Sequence, residues 1–286
     1  MRRLAVWVRA HAVAALALVA AGSLVNSHQA ALSVPDWPLS YGRLLLPVWS
    51  GNTAWEQTHR LTAALVVVIH IAVLLSLRRA RREEGVAVRI RPFARLTTVL
   101  LVVQILLGGA VVLLLNPPWI GALHVVLAQL FAAASVVLAR AVGGAPTGAP
   151  SSRLLTALPW LLVLQIALGA VSRHPPAGKG AFIATLLGHA VVGLVLVGLL
   201  IAAGVGRLRR GERRRGWALV GLAVGQLLVG LAVFFIAPEP LAETWPPPAG
   251  FPAFHAAHHL LAALLLGTVA KAPRLRRRER GGRGLV

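Results

Sequence analysis

"WEQTHRLTAALVVVIHIAVLLSLRR", Trp55–Arg79, opens beside a glutamate and a histidine and closes on arginines. Between them lies an apolar run of about 20 residues, enough for a helix to cross the hydrocarbon core of a bilayer. Ionisable groups at the entrance of such a helix are costly unless something uses them. Glu56 and His59 are therefore the first candidates for function.

Outward from this stretch the same grammar repeats. Of the 286 residues, 57% are hydrophobic and 13% charged, and the mean hydropathy is +0.76. Such a composition excludes an ordinary soluble domain and indicates a polytopic, all-α integral membrane protein. Eight transmembrane helices are expected, over residues 6–26, 58–77, 96–115, 120–140, 154–172, 182–204, 216–236 and 253–271. The first run follows Met1-Arg2-Arg3 like a signal peptide, but no clear small-x-small cleavage site follows, so it reads as a retained helix.

The net charge of +21 does not point to nucleic acid, because the basic residues stand in short blocks between apolar runs. Of the 29 Lys and Arg residues, 25 fall at the two termini and in the 78–95, 140–153 and 207–215 loops. The positive-inside rule then makes both termini cytoplasmic. A multi-pass location in the cell (plasma) membrane is expected. The outer loops are uneven. The first, 27–57, is long and carries "SVPDWPLSYG", and the last carries "APEPLAETWPPPAGFP". Proline- and tryptophan-rich loops of this kind suit lids at the membrane interface. The absence of cysteine excludes disulfides and thiolate ligands.

An internal repeat organises the spans. "QILLG" (Gln104–Gly108), "QIALG" (Gln165–Gly169) and "QLLVG" (Gln226–Gly230) recur in spans three, five and seven. Gln and Gly four apart share a helix face, and helix packing is the simplest reading. Span one has Leu18 in place of the Gln but keeps Gly22, and "GSLVNSH" parallels "GAVSRH". Spans one to four thus resemble spans five to eight. The expected architecture is two pseudo-twofold-related four-helix bundles, an N-terminal half at 1–145 and a C-terminal half at 146–286 with a basic cytoplasmic tail.

Ten histidines are present. His59, His124, His189 and one of His255, His258 and His259 sit near the outer start of the even-numbered spans. In three cases a small residue follows four positions on (Ala63, Ala128 and Gly193), which suggests room beside the imidazole for a flat ligand. In the last span His258 is preferred, because it has Ala262 at that offset and lies six residues after Pro252, as His124 lies six after Pro118. His255 and His259 share its face and stay open. One histidine on an apolar face is usually a satisfied core residue. Four, paired within each repeat, can supply both axial positions of a haem iron from facing helices. No carboxylate cluster or thiolate joins them, so a non-haem metal is a poorer match. His28 and His174 sit at corresponding outer ends and suit lid or rim residues, His11 lies near the cytoplasmic edge, and His70 has no matching partner in the other spans.

"EQTHR", "LSVPDWPLSYG", one histidine per even span and the duplicated halves together resemble the heme A synthase family over nearly the whole chain. The resemblance implies an oxidoreductase that oxidises a ring methyl of heme O to a formyl group, through a hydroxylated intermediate, for cytochrome oxidase biogenesis. It implies haem b as cofactor and heme O as substrate. His59 and His124 match the N-terminal haem pair, His189 and His258 (or His255) the C-terminal pair, and Glu56 the essential glutamate. Heme O synthase, cytochrome oxidase and the lipid bilayer are the implied partners. The electron donor has no visible motif, and small-residue faces permit a homo-oligomer. The chain departs from the family pattern in two places. Ser40 stands where one branch carries a cysteine, and "GSLVNSH" replaces an arginine-containing motif.

The repeat itself argues that the halves differ. Glu56 precedes His59 by three residues, whereas Leu186 precedes His189, Gly121 precedes His124 and His255 precedes His258. Only the N-terminal half places a carboxyl beside its site, where it could donate or relay a proton. Its blander role is as a partner of Arg60 or of the helix dipole. Among rivals, a di-haem b-type cytochrome exchanging electrons with quinone shares the histidine pairs. A transporter would need more charge within the spans, and an assembly factor would bind no haem.

Overall fold

The computed structural model describes residues 2–43, 49–80, 84–143, 153–174, 179–236 and 248–270. These form eight helices: α1 (Arg2–Ser27), α2 (Gly51–Arg79), α3 (Glu84–Leu113), α4 (Pro118–Val142), α5 (Arg153–Arg173), α6 (Lys179–Arg209), α7 (Arg213–Ile236) and α8 (Phe251–Val269). All eight contain a stretch long and apolar enough to cross a membrane. The chain is thus all-helical and consistent with an integral membrane protein. Most of the helices run past the apolar stretches that announce them. α2 starts at Gly51, six residues before the expected end of the first outer loop, so Glu56 stands inside a helix. The basic tail and most of the α7–α8 loop lie outside the described residues.

The helix ends follow local chemistry. Arg78 and Arg79 lie in the last turn of α2 and Arg207 and Arg209 in that of α6, where cations complement the carbonyl end of the helix dipole. Between α3 and α4 the chain reverses through Leu115 and Asn116, both left-handed, and Pro117-Pro118 then start α4. Proline suits that first position because its missing N–H has no partner there anyway. Arg140 near the end of α4 donates to Gly267 O (2.6 Å) and Ala270 O (3.0 Å), capping carbonyls at the end of α8.

α1 packs against α2, α4 and α8, and α4 against α3, α5 and α8. Gly267 brings α8 against α4 so closely that a Cβ there would lie 2.7 Å from Val136 Cβ. One apolar cluster joins Leu158, Leu162, Leu196, Leu200, Leu219 and Leu265. A second joins Val19, Val66, Leu101, Phe131 and Ala263. The opposite faces stay apolar and exposed, as with Leu65, Val68 and Ile71 on α2 and Val99, Val102 and Leu106 on α3, which suits contact with lipid. α6 and α7 pack along their length, with Gly204 against Val220. α2 and α3 touch only sparsely.

Candidate haem-binding site

Four glycines on the odd helices each face a histidine on the even helix that follows. A Cβ at Gly22 would lie 3.1 Å from His59 Cε1, at Gly108 3.6 Å from His124 Cε1, at Gly169 2.7 Å from His189 Cε1, and at Gly230 3.0 Å from His258 Cε1. The glutamines complete the pattern. Gln104 Nε2 donates to His124 O (2.9 Å) and Gln165 Nε2 to His189 O (2.8 Å). Gln226 Nε2 lies 3.2 Å from both ring nitrogens of His258. The Gln–Gly repeats, expected to serve helix packing alone, therefore seat the histidines. The space beside His189 is also not free for a ligand: a Cβ at Gly193 would lie 2.7 Å from Gln165 Nε2, so this glycine makes room for the glutamine.

His189 Nδ1 lies 3.0 Å from Gln165 O. A carbonyl only accepts, so Nδ1 carries the proton and Nε2 keeps its lone pair, the tautomer a metal needs. The His59 ring lies against the Leu18 backbone, at the place Gln165 holds in the other repeat, though its Nδ1 has no partner at hydrogen-bonding geometry. His124 Nδ1 is likewise buried without a partner.

The second pair is closer to a ligand set. The rings of His189 and His258 have centroids 6.2 Å apart and planes at 65°. An iron between two imidazole nitrogens at roughly 2 Å each separates the centroids by roughly 6 Å. The donor set fits a haem. Both rings are half-buried, unlike His11, His70 and His255, which are buried outright. His255 turns the other way. Its Nδ1 meets Ser27 Oγ (2.7 Å) and Ser23 Oγ (3.1 Å) of α1, and its ring stacks on Phe251. His259 lies beside His255, with centroids 4.5 Å apart.

Glu56 is buried, and its bonds run to the first outer loop. Oε2 accepts from Ser33 Oγ (3.0 Å) and Val34 N (2.9 Å), and Oε1 pairs with Arg60 (2.6 Å). Arg60 then donates to the carbonyls of Val34, Asp36 and Leu39. Ser40 donates to Gln57 Oε1 (2.9 Å), so hydrogen bonds hold this loop to α2. Trp37 lies flat against α3, where a Cβ at Gly109 would come within 2.9 Å of the indole. The neighbouring Gly108 faces His124, so the loop reaches α3 at the level of that histidine. The sequence holds no periodic signal for Trp37 on Gly109, because the contact joins a loop to a helix far along the chain.

The loop also carries a pH-sensitive clamp. The Asp36 carboxylate accepts from Tyr41 N and Gly42 N, both at 2.7 Å. The Gly42 amide first, then the Tyr41 amide and the Arg60 charge, hold this carboxyl below its ordinary range. A lowered folded pKa means that the loop's stabilisation is present above the ordinary carboxylate value and is lost as pH falls through the folded one. Cleavage within 28–43 by an acid-tolerant protease should rise as pH drops below about 4. Asp36→Asn should raise cleavage at neutral pH and flatten the profile; an unchanged profile would exclude Asp36 as the cause.

The other histidines find local partners. His70 Nδ1 meets His11 Nε2 (3.1 Å), and His70 Nε2 meets Thr98 Oγ1 (2.9 Å), so the partner that the sequence hides is on α1. His28 stacks on Trp55 at 4.2 Å. His174 follows Arg173, whose Nε donates to Asn26 Oδ1 (2.7 Å). Asn26 belongs to the altered "GSLVNSH" motif and stands four residues after Gly22, as Arg173 stands four after Gly169.

Eight helices long and apolar enough to cross a membrane, with His189 and His258 facing each other at 6.2 Å, are consistent with a polytopic membrane protein that carries candidate haem ligands. No family model matches the sequence. Over 142 residues, 45% of this chain, it is 34% identical to a heme A synthase from Methylobacterium sp. (strain 4-46). The match spans 38% of that relative's length. The similarity supports membership of the heme A synthase family.

Proposed function

We propose that this chain is a membrane oxidoreductase that converts heme O to heme A by oxidising a ring methyl to a formyl group. The observation that carries the reading is the His189–His258 pair, 6.2 Å apart and seated by Gly169 and Gly230. In this reading the chain is two four-helix halves, 1–145 and 146–286, related by a pseudo-twofold along the membrane normal. The four glycine–histidine contacts and the reciprocal packing of α1 on α8 and α4 on α5 support it. Both termini are cytoplasmic and the histidine ends face outward, in the plasma membrane.

His189 and His258 hold haem b, which supplies electron transfer when bound. His59 and His124 hold the heme O to be oxidised. Among the described residues, the N-terminal half alone has Glu56, the clamped loop and the sparse contact between α2 and α3, through which an apolar tail could extend into lipid. Glu56 holds or moves a proton at its carboxylate, Arg60 orients it, and Trp37 helps to exclude water. Heme O synthase is the supplier and cytochrome oxidase the consumer. A di-haem b-type cytochrome remains the second reading, because the histidine pairs serve it equally.

The test is expression in cells that make heme O, purification, and mass spectrometry of the extracted haems. Heme A or its hydroxylated precursor is the expected result. Haem b alone, despite a heme O supply, would favour the cytochrome, and no haem would overturn both.

A further inference from the structure

Arg173 is a cation without an acidic partner among the described residues. Its Nε donates to Asn26 Oδ1 (2.7 Å), and its NH2 group lies 3.4 Å from Asn26 O. Asn26 thus fixes the guanidinium through one edge, and Arg173 itself is exposed. The other arginine set into this end of the helices, Arg60, is already paired with Glu56. The two glutamates between α7 and α8 lie outside the described residues.

Its surroundings are polar and shared by both histidine pairs. His174 Nε2 lies 3.5 Å from Asn26 Nδ2. Gly121, one turn before His124, makes room for His174: a Cβ there would lie 2.9 Å from the His174 ring and 3.0 Å from Asn116 Oδ1. Arg173 stands four residues, about one helical turn, beyond Gly169, the glycine that faces His189, so its side chain leaves α5 on the same side as that contact.

We infer that Arg173, positioned by Asn26, binds a carboxylate side chain of the porphyrin held by His189 and His258. The inference rests on the haem reading of that pair. A carboxylate at this polar wall is matched by a cation and hydrogen-bond donors. Arginine's planar fork presents two parallel N–H groups to one carboxylate, and fixing one edge of the guanidinium lowers the cost of ordering the rest. His174 adds a ring nitrogen at the same wall. This assigns a use to Asn26, whose neutral amide oxygen accepts from Arg173 and leaves the cation's charge for a ligand.

Protein from haem-limited cells, carrying His59→Ala so that one pair remains, is titrated with ferric haem and with its dimethyl ester. The ester has the same ring and iron but no carboxylates. Haem should bind more tightly than the ester by roughly tenfold or more, as for a charge-assisted hydrogen bond. Arg173→Leu should weaken haem by that factor and leave the ester unchanged, and Asn26→Ala should give a smaller loss in the same direction. Equal affinities without Arg173→Leu, or an equal loss for haem and ester with it, would overturn the inference. Failure of the His59→Ala chain to bind either compound would overturn the haem reading as well. His258→Ala should weaken haem and ester to the same degree, because it removes an iron ligand and leaves Arg173 in place, and an unchanged affinity for both would overturn the haem reading of the pair.

Discussion

His258→Ala should eliminate the low-spin, two-histidine haem spectrum of the C-terminal pair, whereas His255→Ala should keep it. The two residues lie three positions apart on α8, but their rings meet different helices. His258 faces His189 at 6.2 Å, so its removal would leave only His189 of this pair to hold a haem. His255 is tied to Ser23 and Ser27. Ser27 Oγ already donates to Ser23 O (2.9 Å), so His255 Nδ1 donates to Ser27. Truncating His255 leaves serines that can still bond within their own helix, and the cost should be about 1–3 kcal/mol of stability. The measurements are the reduced-minus-oxidised spectrum and the haem-to-protein ratio of each purified variant, with thermal melting as the control. Loss of the spectrum in His255→Ala with retention in His258→Ala would reverse the assignment.

That contrast also marks how far a sequence can be read. The eight helices were legible because runs of about 20 apolar residues have few other uses. Their ends were less so. Gly51–Gln57 is polar, and it continues α2 because the outer loop wraps it, which hydropathy does not record. The recurrence of histidine was legible because one residue returns at one depth in four helices, and each of the four lies against a glycine of the helix before it. The choice within α8 was harder, because His255, His258 and His259 at i, i+3 and i+4 share a face. Only the neighbouring helix separates them, Ser23 and Ser27 of α1 against His189 of α6. Gly193 was misread for a related reason. A small residue beside a histidine makes room, but the sequence does not say for what, and here Gln165 fills it. His11 and His70 lie in different spans without a repeat to link them, so their 3.1 Å contact had no sequence signal.

Glu56→Gln should retain haem at His189 and His258 and lose heme A by about a hundredfold or more, the lower range of a general acid–base contribution. Two mechanisms reach that result, and the structure provides a way to part them. In the first, the carboxylate moves a proton at the substrate. In the second, it acts through the loop, since Ser33, Val34 and Arg60 take up its hydrogen bonds. Removing one partner of a buried ion pair costs about 3–5 kcal/mol. Arg60 keeps three carbonyl partners, so the lower end applies. Arg60→Gln breaks the same pair but leaves the carboxylate in place. If Glu56 works by holding the loop, Arg60→Gln should lose product and admit protease between residues 28 and 43 to the same degree as Glu56→Gln. If it works on protons, Glu56→Gln should lose product with the loop still protected, and Arg60→Gln should retain part of the activity. The heme A to heme O ratio and the cleavage rate, measured on the same preparations, distinguish the two. Full activity in Glu56→Gln would remove Glu56 from both roles and leave the loop held by Arg60, Ser40 and Trp37.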